Sequence, residues 1–66
     1  MQPYKFEYVV DGVKRVETDY YLETMFSVRK RISEKYGIPE NDMPIYQKLY
    51  LSDRWMLIAG KGKRMI

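Results

Sequence analysis

The sequence predicts an α+β domain in ββαββ order, in which one amphipathic helix packs on one face of an antiparallel sheet. Three patterns predict this fold: an alternation of apolar and charged residues around Asp11-Gly12, a segment with apolar residues three and four apart, and two apolar runs after a loop containing prolines. A chain of 66 residues can build one hydrophobic core. We therefore expect a single domain over residues 1–66.

The first element is predicted to be a β-hairpin over residues 4–18. Residues 4–10 alternate apolar with charged side chains, as in a strand with one buried face. Asp11 and Gly12 are typical turn residues, and residues 13–18 after them are predicted to run back as a second strand.

The register of this hairpin has two possible forms. A two-residue turn pairs Val10 with Val13, whereas a three-residue loop pairs Val9 with Val13 and sets Glu7 opposite Arg15. Opposite charges that face each other across a sheet stabilise it by about 0.2–1 kcal/mol per pair. We therefore predict the three-residue loop.

One helix is predicted over residues 20–36. Thr18 or Asp19 can cap its first turn, and Gly37 is a typical C-terminal stop. The apolar stripe that should cover the hairpin consists of Leu22, Met25, Phe26, Ile32 and Tyr36.

The second half is predicted to contain a loop over residues 37–44 and strands over residues 45–51 and 55–59. Residues 45–51 also fit a short helical stripe, although their Tyr and Ile content favours a strand. Residues 55–59 are wholly apolar, which predicts a central strand. A basic C-terminal segment, residues 60–66, follows.

The composition narrows the class of function. Without Cys or His the chain lacks disulfides, thiolate and imidazole metal ligands, and the commonest catalytic bases and nucleophiles. We expect a non-enzymatic protein with no catalytic residues, no cofactor and no metal.

No apolar run approaches the roughly 18 residues of a membrane span, and no signal-peptide core is present, so we expect a cytoplasmic protein without membrane contact. Homodimerisation is a common supplement for so small a core.

The net charge of +3 is unevenly distributed along the chain. Residues 1–28 carry three basic and five acidic side chains, whereas residues 29–66 carry nine basic and four acidic ones. Such asymmetry favours a nucleic acid or an acidic protein surface as the partner. In this interpretation lysines and arginines hold phosphates while aromatic rings stack on bases. The candidate binding residues are Arg29, Arg31, Tyr46, Lys48, Tyr50, Arg54, Trp55, Lys61, Lys63 and Arg64.

An alternative function is that of a protein–protein adaptor or inhibitor, acting as a homodimer or by capping a larger target. Protein interfaces are also enriched in Tyr, Trp, Met and Arg. Exposed strand edges of a small sheet would serve the same purpose. The sequence leaves both functions open.

Overall fold

The computed structural model describes residues 2–61 and confirms the predicted α+β class. One helix packs against a four-stranded antiparallel sheet whose strand order is β2-β1-β3-β4. The elements are β1 (Tyr4–Val10), β2 (Val13–Asp19), α1 (Leu22–Tyr36), a 3₁₀ turn (Glu40–Asp42), β3 (Ile45–Lys48) and β4 (Trp55–Ala59). Among residues 2–61, no helix has the length and apolar character required to cross a membrane.

The hairpin closes through a two-residue turn, so the predicted three-residue register is wrong. Asp11 and Gly12 both have positive φ angles, 52° and 77°. Positive φ at both central residues is the geometry of a type I′ turn, whose backbone twist matches that of the strands it joins. The paired residues include Val10 with Val13, Tyr8 with Arg15 and Phe6 with Glu17.

The charge pairing that favoured the other register is achieved in a different way. Glu7 lies opposite Val16, yet its carboxylate is 3.0 Å from the Lys5 ammonium and 3.2 Å from that of Lys14. Long side chains reach their diagonal neighbours on the same face of a sheet. Glu7 therefore forms ion pairs without the three-residue register, and the geometry of the Asp11-Gly12 turn selects the two-residue one.

Helix α1 begins at Leu22 and ends at Tyr36. It is capped by Gly37, which has a φ of 69° and donates its N–H to the Ser33 carbonyl over 2.9 Å. The predicted stop at Gly37 is confirmed. The predicted cap differs, because Asp19 accepts the Tyr21 N–H over 2.9 Å before the helix begins and no side chain caps the helix itself.

The buried line of the helix also differs from the predicted stripe. It runs through Met25, Arg29 and Ile32, whereas Phe26 and Tyr36 are 42% and 37% exposed. The helix packs mainly on β1 and β2, so only one narrow line of its side chains faces the sheet. The core consists of Phe6, Tyr8, Met25, Ile32, Met43 and Ile45.

Residues 45–48 form a strand, as predicted, but β3 stops before residue 49. Its pairing with β1 ends where Ile45 meets Phe6. The next pair in that register would set Pro44 opposite Glu7, and proline has no N–H to donate. Pro44 therefore ends the β1–β3 ladder at the pair of Phe6 with Ile45.

Strand β4 lies at the edge of the described sheet, which corrects the prediction of a central strand. After the helix the chain returns to pair β3 with the free side of β1. The loop between β3 and β4 closes with the Leu49 N–H donating to the Arg54 carbonyl over 2.9 Å, so β4 folds back on the outer side of β3.

Candidate functional site

The face of the sheet that points away from α1, here called the outer sheet face, is covered by no helix of residues 2–61. Successive side chains of a strand point to opposite faces, and directly paired residues share a face. Because Phe6 and Tyr8 pack under the helix, the intervening residues point outward. The outer sheet face includes Lys5, Glu7, Tyr46, Lys48, Trp55 and Leu57.

Lys5 organises the middle of this face. Its ammonium lies 4.4 Å from the centre of the Trp55 ring, 6.0 Å from that of Tyr46 and 3.0 Å from the Glu7 carboxylate. The Lys5 side chain therefore crosses β3 to reach β4, and Tyr46 is only 6% exposed. The prediction that Tyr46 offers a ring for stacking is wrong, because this face buries it.

The carboxylate of Glu7 balances the two lysines that reach it. Burial acts to raise the pKa of Glu7, but hydrogen bonds and charge attraction from Lys5 and Lys14 together outweigh it, so this pKa is lowered. Glu7 is consequently ionised at neutral pH and neutralises part of the positive charge of the face. Among residues 2–61, no group of three or more acidic side chains is arranged to hold a metal ion.

A groove of about 510 Å³ opens at the end of the sheet where β1 and β4 begin and β2 and β3 end. Lys48 and Trp55 are paired across β3 and β4, so both side chains project into the same region. The Lys48 N–H donates to the Pro3 carbonyl over 3.0 Å, which holds the first described residues beside it. The groove is lined by Pro3, Thr18, Asp19, Tyr20, Lys48 and Trp55.

The groove combines aromatic rings with charges of both signs. Its volume lies within the roughly 300–1,000 Å³ that is usual for ligand sites. It combines the Trp55 ring with the Tyr20 ring, which is 56% exposed, the Lys48 ammonium and the Asp19 carboxylate. A planar group that carries an anionic neighbour could therefore stack and pair within it.

Comparison with models of known protein families gives no match for this chain, and neither do searches of curated proteins and of solved structures.

Two of the predicted binding residues line the groove, and two more lie in the loop beside it in sequence. Lys48 and Trp55 line it, and Tyr50 and Arg54 lie in the loop that joins their strands. Tyr50 is 75% exposed, and Arg54 is exposed as well.

Arg29, by contrast, is a structural residue, which corrects its prediction as a phosphate ligand. It is 8% exposed, and one of its terminal nitrogens donates to the carbonyls of Glu40 and Met43, each over 3.4 Å. Its guanidinium carbon lies 5.2 Å from the centre of the Phe26 ring, and its Nε lies 3.8 Å from a Glu40 carboxylate oxygen. Arg29 therefore anchors the chain that follows the helix.

The remaining predicted residues lie elsewhere. Arg31 is exposed on α1, which packs on the opposite face of the sheet from the groove. Lys61 follows β4 at the end away from the groove, and its N–H donates to the Asn41 carbonyl over 3.0 Å. Lys63 and Arg64 lie outside the described residues.

Sequence reasoning missed Lys5, Pro3 and Tyr20 as parts of this surface. Each belongs to the N-terminal part of the chain, where charge counting predicted no binding. Pairing of β1 with β3 on one side and with β2 on the other brings them beside Lys48 and Trp55. The two adjacent tyrosines, Tyr20 and Tyr21, were the only local signal, and their spacing does not indicate which ring faces the groove.

Proposed function

We propose that this protein is a non-enzymatic binding domain that contacts single-stranded nucleic acid at the groove of the outer sheet face. The observation that carries the proposal is the position of Trp55 beside Lys48 in an open cleft of about 510 Å³, with Tyr20 as a second ring. Stacking of a base on an aromatic side chain is worth about 1–3 kcal/mol, and lysine attracts the adjoining phosphate.

A single strand suits this groove better than a duplex. The bases of a duplex are stacked on each other and paired, whereas those of a single strand can turn outward onto protein rings. The open face carries mixed charges around Lys5 and Glu7 rather than a continuous basic surface. Stacking in the groove, assisted by a few phosphate contacts, is thus the mode of binding that these side chains support.

The charge distribution sets the salt dependence that we expect. Residues 2–61 carry ten basic and nine acidic side chains, so most of the net charge of +3 comes from Lys63 and Arg64. With two to five phosphate contacts from Lys48, Arg54 and the basic C-terminal segment, log affinity should fall with log salt at a slope between about −1.4 and −3.5.

The chain contains its own probe for the test, because Trp55 is its single tryptophan. Titration with short single-stranded DNA and RNA should quench Trp55 fluorescence as a base stacks on the ring. Fluorescence anisotropy of labelled oligonucleotides across a salt series should give the slope above. Absence of both quenching and binding at low salt would contradict the proposal.

Two matched pairs of variants locate the contact. Tyr20→Ala should weaken binding by about 5- to 150-fold, the equivalent of 1–3 kcal/mol of stacking, whereas Tyr21→Ala should not, since Tyr21 is 61% exposed but does not line the groove. Lys48→Ala should weaken binding more than Arg31→Ala, although both remove one positive charge. Equal losses within each pair would point to non-specific attraction.

A second candidate function is protein–protein adaptor or inhibitor, and one observation favours it. The loop between β3 and β4 presents Tyr50 and Leu51 at its tip, 75% and 87% exposed. Large exposed apolar side chains often mark protein contacts. In a nuclease-treated pull-down, Leu51→Asn should abolish capture of a protein target, while Val16→Thr on β2 should not. Asparagine is the replacement because it tolerates the positive φ of 56° that Leu51 has, so the variant should keep the loop conformation.

A further inference from the structure

The two edges of the sheet differ in how they are protected. Edge strands usually carry charges or proline, because their unpaired backbone groups can otherwise pair with another chain. Strand β2 has charged residues at Lys14, Arg15, Glu17 and Asp19. Strand β4 has the sequence Trp-Met-Leu-Ile-Ala, without a charge or a proline.

Strand β4 has the composition of a strand that is covered on both faces and paired on both edges. Among residues 2–61, however, it pairs only with β3. Met56 and Ile58 are 37% and 36% exposed on it. We infer that β4 is the interface between two copies of this chain, which pair their β4 strands antiparallel and continue one sheet through both.

The backbone of β4 selects the register of this pairing. The Leu49 N–H bonds to the Arg54 carbonyl, and backbone groups alternate in direction along a strand, so those of Met56 face β3. Those of Trp55 and Leu57 consequently face the open edge. A register shift opposite Ile45 and Tyr46 leaves Ile58 as a bulge, which interrupts regular pairing beyond Leu57.

Only an antiparallel pairing centred on Met56 uses the open backbone groups of both Trp55 and Leu57 and avoids the bulge at Ile58. It sets Trp55 opposite Leu57 of the partner subunit, and the two-fold axis repeats the same contact on the other side. A two-fold axis makes such an interface self-complementary.

The side chains fit this register. Paired residues share a face, so Trp55 would lie beside Leu57 of the partner subunit on the outer sheet face. Met56 would meet Met56 of the partner subunit on the helix side. The loop tip with Tyr50 and Leu51 would lie alongside the far end of the partner strand, and within residues 54–58 no like charges would face each other. The apolar area of Tyr50 and Leu51, which is exposed in the isolated chain, would then be covered by the partner subunit.

The test is the mass of the protein in solution and its response to charge at the axis. Sedimentation equilibrium should give twice the 8.0 kDa chain mass. Met56→Lys places two lysines opposite each other and should raise the dimer dissociation constant by at least about 100-fold. Val16→Lys, which introduces a lysine at a half-exposed position of the other edge strand, β2, should leave the mass unchanged.

A rescue experiment separates dissociation from misfolding. Met56→Glu alone should also dissociate the dimer, whereas an equimolar mixture of Met56→Lys and Met56→Glu should restore the dimeric mass, because opposite charges then meet. In the wild-type protein, amide exchange at Trp55 and Leu57 should slow as concentration rises, while that of Val16 should not. A wild-type chain that stays monomeric up to about 1 mM, or a mixture that fails to reassociate, would overturn the inference.

Discussion

The ammonium of Lys5 lies 4.4 Å from the centre of the Trp55 ring, although β3 separates the strands that carry them. The Lys5 side chain, 14% exposed, reaches across Tyr46 to make this contact. This contact joins β1 to β4 and shields the ring of Tyr46, which lies on β3 between them. It also orients the ring that we propose as the stacking platform.

Replacement of Lys5 tests this relationship. Lys5→Met keeps the aliphatic stem and removes the charge, so we expect a loss of about 1 kcal/mol in the free energy of unfolding. Trp55 should also become more exposed, with red-shifted fluorescence. Lys14→Met is the control, because Lys14 is also paired with Glu7 but its side chain is 63% exposed. It should cost less than about 0.5 kcal/mol and leave the emission unchanged.

Arg29 should be far more important for stability than its neighbour on the helix. Arg29→Ala removes a buried side chain and takes a donor from the Met43 carbonyl and from the Glu40 carbonyl, which keeps only the Met43 N–H, so we expect a cost of about 2–4 kcal/mol. Arg31→Ala, at an exposed position, should stay within about 0.5 kcal/mol of the wild type. Urea denaturation measures both, and similar costs would contradict the structural role of Arg29.

Two glycines with similar backbone angles should respond differently to alanine. Gly37 and Gly60 have φ angles of 69° and 86°, so alanine is strained at either position by about 1 kcal/mol. A Cβ at Gly60 would also lie 3.1 Å from the Pro44 Cα, whereas one at Gly37 would meet nothing within 4 Å. Thermal denaturation should therefore show Gly60→Ala to be less stable than Gly37→Ala by roughly a further 1–3 kcal/mol.

Alkaline pH should destabilise the fold through Tyr8. Burial, together with the hydrogen bond that its hydroxyl donates to Glu17 over 3.1 Å, raises the pKa of Tyr8 above 10.0. Above that pH the unfolded chain loses the proton while the folded chain retains it, so this contribution to stability is present below about pH 10 and is lost as pH rises through the folded pKa. Urea denaturation from pH 8 to 11 should therefore show a steeper decline for the wild type than for Tyr8→Phe. Parallel declines would contradict the prediction.

The sequence alone determined the order of the elements, and the kind of each except residues 45–51, because their signals are local. Alternation predicted β1, the three- and four-residue spacing predicted α1, and the left-handed Gly37 ended that helix where expected. The sequence also named Lys48 and Trp55 among the candidate binding residues, and the structure pairs them across β3 and β4.

Tertiary structure decided the features that depend on distant partners. The hairpin register is not one of them, because it followed from the local backbone geometry of Asp11 and Gly12; the wrong prediction gave weight to ion pairs, which long side chains can also form with diagonal neighbours. Arg29 was expected at the surface but became buried, because the chain after the helix brought carbonyl acceptors to it. Such partners are remote in sequence, so composition and spacing cannot reveal them.

The candidate site divides in the same way. Its charges and the Trp55 ring are visible in the sequence, but the groove exists only because β1 pairs between β2 and β3 and brings Pro3 and Tyr20 to Lys48. Strand β4 is apolar enough for the centre of a sheet, yet the chain places it at the edge. Hydrophobicity specifies how much surface a strand should bury, while chain topology decides whether the chain itself supplies the neighbour that buries it.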